Sequence, residues 1–159
     1  MKYEQDDKRK HLEFLQLAIN RMASNSFILK GWNITVIVGL FALTFKDLSS
    51  SYLYLAILPA LAFFGLDAYY LRQEKLFREL YDSIRKTKRK DIDPYSLNTN
   101  KISEKVKGWF CTLFSPTVIL LHGSVILFII LFIVIVKGGI QKWQRAYFLV
   151  LIMIGIFGE

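Results

Sequence analysis

Apolar positions in this chain gather into long runs separated by short stretches dense in charge. Residues 27–45 and 51–71 form two such runs joined by a tight polar turn, and residues 116–136 form a third, free of charge. A fourth, 146–157, is shorter; counted from Ile140 it spans about 27 Å as a helix, enough for a thin bilayer. Each of the first three is long enough to cross a hydrocarbon core of roughly 30 Å. The pattern predicts an all-α integral membrane protein with four transmembrane helices in two antiparallel hairpins, with helical extensions on the cytoplasmic side. Residues 1–90 make the first unit, 91–107 a polar cytoplasmic linker, and 108–159 an interfacial segment plus the second hairpin.

The extensions follow from periodicity. Leu12, Leu15, Ile19 and Met22 repeat at helical spacing behind Asp6 and Asp7, acids that suit a helix start. The second run continues past Asp67 without Gly or Pro, and Tyr70, Phe77, Leu80 or Tyr81, and Ile84 fall on one stripe. The two stripes are expected to face each other as a continuation of the first hairpin, in preference to a helix lying flat on the membrane. In that register Arg21 meets Glu74 as a cytoplasmic ion pair.

Each run of the first hairpin carries one charge, Lys30 and Asp67. Taking Val36 and Leu61 as midpoints, both lie six residues toward the same membrane face, roughly 9 Å off the midplane. A lone charge at that depth costs several kcal/mol, so an inward-facing pair is expected. A structural salt bridge leads over an ion or proton pathway and over snorkelling of Lys30.

Net charge is +8, and its distribution sets the orientation. Lys and Arg number five in residues 1–26 and eleven in 72–107, against one in the first turn and three in 137–145. The positive-inside rule therefore places 1–26 and 72–107 in the cytoplasm, with both termini inside. The dense cluster Arg85, Lys86, Lys88, Arg89 and Lys90 is read as a lipid-facing helix end; an anionic-ligand site is the alternative. Anionic lipid explains the excess charge, and no nucleic acid is expected. A charged N terminus argues against a cleavable signal peptide.

Between the hairpins, Trp109, Phe110 and Phe114 read as interfacial anchors beside Lys107. Ser115-Pro116 reads as N-cap and first-turn proline of the third span. Gly31, Thr35 and Gly39 repeat every four residues along the first span, as do Ala56 and Ala60 along the second. Such stripes allow close helix packing, within a chain or between chains.

Catalytic patterns are missing. The only Gly-Gly pair is a turn, the single cysteine, Cys111, excludes a disulfide framework, and His11 and His122 are too far apart for a metal site. His122, in an otherwise apolar helix, is read as a packing hydrogen bond to Ser124 or another helix rather than a proton relay. No enzymatic reaction and no cofactor are expected.

The stretch from Asn20 to Trp32, with the stretch from Leu66 to Arg78, resembles the RipA-like family of small bacterial inner-membrane proteins, described as octameric. The likeness covers roughly residues 8–90. It implies a homo-oligomer larger than a dimer in the bacterial cytoplasmic membrane, with a role in envelope or stress adaptation. A weaker likeness is to two- or four-span membrane effectors of bacterial nucleotide-signalling defence systems. Self-association is also expected as the way to satisfy Asn33, His122 and the charged pair. Three classes remain: a structural or regulatory oligomer, which leads; a pore or membrane-perturbing effector controlled by its cytoplasmic helices; and a small transporter.

Overall fold

The computed structural model describes residues 2–47, 51–87 and 95–139, and these form an all-helical fold. Helix α1, Lys2–Asp47, runs unbroken through Asn25 and Ser26, and α2, Ser51–Lys86, returns antiparallel beside it. A 3-10 turn, Asn100–Lys105, and a short helix α3, Trp109–Leu113, lead to the long helix α4, Pro116–Gly139. Three helices, α1, α2 and α4, are long and apolar enough to cross a membrane. The expected fourth crossing at 146–157 lies outside the described residues, as do Lys88, Arg89 and Lys90.

Helix α1 stays continuous because one inward stripe persists along it. Ser26, Lys30, Asn33, Ile37, Phe41 and Thr44 recur at spacings of three and four, so they share a face. The facing stripe on α2 is Ala56, Ala60, Phe64, Asp67 and Leu71. Pro59 sits inside α2 and removes one backbone donor, a defect that packed neighbours tolerate in apolar helices.

The three long helices share one apolar core. Ile37 and Phe41 from α1, Ala56 and Ala60 from α2, and Ile129 from α4 are buried together. The small Ala56 and Ala60 leave room for larger neighbours; Phe41 stacks on Phe132 with centroids 4.9 Å apart. At the far end of this core, Lys137 Nζ lies 5.2 Å over the Tyr54 ring and ties α4 to the start of α2.

A second core forms at the polar end, where Leu15 packs on Leu80, Ile84 and Ile102. The facing extensions thus continue the hairpin, as the two stripes predict. Lys8 Nζ donates to the carbonyls of Arg85 (3.0 Å) and Thr87 (3.1 Å), satisfying orphan acceptors at the end of α2. Residues 95–107, expected as a linker, dock on this end. His11 Nε2 donates to the Ser96 carbonyl at 3.0 Å, the Tyr95 hydroxyl donates to Asp7 at 3.1 Å, and Arg72 Nε donates to the Lys107 carbonyl at 3.3 Å. Tyr95 has a φ of 62°, a left-handed conformation unusual for an aromatic residue. Its contacts with His11 and Phe14, both at 5.9 Å, accompany that conformation.

Ser115 and Pro116 open α4 as the sequence suggests, but through the backbone. The Ser115 carbonyl accepts from Val118 and Ile119, and its hydroxyl makes no cap to the helix backbone. Trp109 Nε1 donates to the Gly65 carbonyl at 3.1 Å and anchors α3 on α2.

Candidate functional site

A buried polar cluster joins α1, α2 and α4. At its centre is Asp67, with no exposed surface. Its Oδ1 accepts from Lys30 Nζ at 2.6 Å and from Ser26 Oγ at 2.5 Å, both on α1. Lys30 also donates to Ser26 Oγ at 2.6 Å, one helical turn back along α1. On the other side, Asp67 Oδ2 lies 3.1 Å from His122 Nε2 on α4. His122 Nδ1 in turn lies 3.0 Å from Asn33 Nδ2 on α1. Asn33 and His122 have no exposed surface either.

The donor pattern assigns the protons. Asp67, beside an ammonium group, is a carboxylate and only accepts, so His122 Nε2 carries a hydrogen. A neutral imidazole then presents Nδ1 as an acceptor, which matches donation from the Asn33 amide. Lys30 and Asp67 cancel in charge, and the cluster is neutral. Asn33 Oδ1 is the one buried side-chain polar atom without a partner among the described residues.

Local geometry brings His122 into reach. Residues Ile119–Gly123 form a π-turn within α4, with His122 inside it. Such a turn adds a residue to the helical circuit and occurs often at functional positions. Here His122 shares a side with buried Val118 and Ile129, so the ring is buried against α1 and α2. The Phe64 ring lies 5.8 Å from the imidazole.

Several expected contacts differ. Arg21 and Glu74 do not pair: Glu74 binds Arg78, one turn along its own helix, at 2.8 Å. The intrahelical partner needs no inter-helix reach, whereas Arg21 points to an open groove of 420 Å³ lined by Phe14, Leu17, Ala18, Tyr95 and Leu97. Gly31, Thr35 and Gly39 lie on the exposed side of α1, and a Cβ at either glycine would meet nothing within 4 Å. Among the described residues their stripe therefore makes no close approach, while Ala56 and Ala60 do pack in the core. Arg85 pairs with Asp82 at 3.3 Å, and Lys86 is exposed. His122, the charged pair and the Asn33 amide nitrogen find partners within one chain, so self-association is not needed to satisfy those groups, while Asn33 Oδ1 is left without one.

Sequence reasoning did not foresee that Ser26 and His122 would share the carboxylate of Asp67. Ser26 stands four residues before Lys30, and that spacing was the available signal. Among the described residues no group of three or more His, Cys, Asp or Glu side chains is placed to hold a metal ion. No protein-family model, curated protein or solved structure matches this chain.

Proposed function

We propose that this chain is the subunit of a homo-oligomer, larger than a dimer, in the bacterial cytoplasmic membrane. Its role is structural or regulatory, in envelope or stress adaptation, and it carries out no reaction of its own. The observation that carries this reading is the outward face of α1. Phe14, Leu17, Ile28, Trp32, Gly31, Thr35 and Gly39 are exposed along it, and Phe14 and Leu17 continue into the groove beside Tyr95 and Leu97. Phe14 stands 22 residues from Val36, about 33 Å along a straight helix. Hydrocarbon reaches only about 15 Å from the midplane, so lipid chains cover the glycine stripe but not Phe14 or Leu17. Exposed apolar side chains beyond the hydrocarbon, separated from the membrane part of the face by Arg21, Ser24 and Asn25, favour a protein neighbour, and a second copy meets both parts of the face at once.

The RipA-like resemblance of residues 8–90 supports the same reading. The partners are then other copies of the chain and anionic lipid at the basic end, with N and C termini cytoplasmic and no nucleic acid. A pore lined by α1 is the alternative, and the polar residues count against it. Asn33 and Thr44 are buried among the chain's own helices, and Lys30 is bound to Asp67. Native mass measurement in several mild detergents, beside ion flux from liposomes holding the same protein, tests the proposal. A discrete assembly larger than a dimer without flux supports it. A monomer in every detergent refutes the assembly, and flux from the assembly favours the pore.

A further inference from the structure

We infer that His122 is a proton-binding site whose occupation releases Lys30 from Asp67. Three observations converge on it. The first is the unpartnered Asn33 Oδ1, fully buried on the same amide whose Nδ2 meets His122 Nδ1. When a proton binds Nδ1, the ring nitrogen changes from acceptor to donor. Rotation of the Asn33 amide by half a turn then presents Oδ1, a buried acceptor without a partner, and Nδ2 takes the position Oδ1 leaves. The bond from Asn33 Nδ2 to Nδ1 breaks, and one from Nδ1 to Asn33 Oδ1 forms.

The second observation is charge. The titratable or charged side chains joined in the cluster are Lys30 from α1, Asp67 from α2 and His122 from α4. Neutral His122 leaves one cation for one carboxylate. A proton on His122 makes two cations for one carboxylate, an imbalance that a dry interior strongly disfavours.

The third is accessibility. The His122 side chain is fully buried, whereas 24% of the Lys30 side chain is exposed. Lys30 has a flexible stem that can carry its ammonium to the membrane surface, and the imidazole has no such route. The proton therefore displaces Lys30. The ion pair moves from α1–α2 to α2–α4, and Ser26 keeps its bond to Asp67. This inference rests on α1, α2 and α4 being membrane spans, but not on oligomer formation.

The test is nitrogen-15 NMR of histidine-labelled full-length protein in bilayers, titrated from alkaline to acidic pH. Only His11 and His122 contribute, and His11→Gln assigns them. At alkaline pH His122 should show one protonated and one bare nitrogen, and at acidic pH two protonated ones, while α1–α4 remains folded. In Lys30→Gln, which removes the competing cation, proton uptake should move to higher pH by about one unit or more, a tenfold change in affinity. In Asn33→Leu, which removes the waiting acceptor, it should move to lower pH. His122 staying singly protonated until the protein unfolds overturns the proposal, as does an unchanged midpoint in Lys30→Gln. If that variant does not fold, an unchanged Lys30 amine signal as wild-type His122 titrates overturns it equally. Protein recovered outside the membrane fraction would instead fail the membrane reading itself.

Discussion

Replacing Lys30 and Asp67 by leucine, singly and together, separates a buried ion pair from a coincidental contact. At alkaline pH, where His122 is neutral, Lys30→Leu leaves the fully buried Asp67 carboxylate with only two neutral donors, Ser26 and His122. Removing one partner of a buried pair costs about 3–5 kcal/mol. Asp67→Leu removes the acceptor for three groups at once. Lys30 can then extend toward the surface, but the fully buried His122 loses the acceptor for its Nε2 hydrogen, at about 1–3 kcal/mol. In the double variant no unpaired charge remains, and the residual penalty is mainly that hydrogen. The double should therefore be more stable than Lys30→Leu, and far more stable than the two single losses added together. Reversible unfolding in bilayer-like mixed micelles measures all four proteins. Additive losses, with coupling below about 0.5 kcal/mol, would refute the reasoning, because independent sites add within that margin.

Gly39→Leu should weaken assembly without destabilising the monomer, since a Cβ there meets nothing within 4 Å among the described residues; native mass and unfolding curves read the two effects separately. Leu80→Ala should cost about 2–5 kcal/mol through the cavity it leaves beside Leu15, Ile84 and Ile102, seen as faster proteolysis of the polar end. Trp109→Phe should cost only about 1 kcal/mol in the same unfolding assay, the worth of its single bond to the Gly65 carbonyl. Reporter fusions after Asn98 should be cytoplasmic and those after Gly138 periplasmic; a periplasmic signal at Asn98 reverses the orientation.

Much of this arrangement was legible in the sequence because helical spacing is a one-dimensional signal. The apolar runs mark three long helices, and the Leu15 and Leu80–Ile84 stripes give the extended hairpin. Counting from the run midpoints put Lys30 and Asp67 at one depth, where the structure holds them 2.6 Å apart. The same count on the third run places His122 four residues from its midpoint, on the side where the pair lies. That near-match in depth was present, but depth alone does not state which face a side chain occupies. The face of His122 depends on the π-turn at Ile119–Gly123, which no residue in the segment announces. Arg21 and Glu74 failed for a related reason: equal depth made the pair plausible, and Arg78 at helical spacing from Glu74 offered a shorter path. The docking of residues 95–107 depends on long-range bonds to His11, Asp7 and Arg72, which local composition does not encode.

The central claim is that one chain brings α1, α2 and α4 together on the carboxylate of Asp67. Its most direct test is magnetisation transfer between His122 Nε2 and the Asp67 carboxyl carbon in bilayers, with labelled protein diluted into unlabelled protein. The 3.1 Å contact between Nε2 and Oδ2 predicts strong transfer that survives dilution in proportion to the labelled fraction. Transfer that vanishes on dilution would move the contact to a neighbouring chain, and no transfer at any dilution would contradict the three-helix cluster outright.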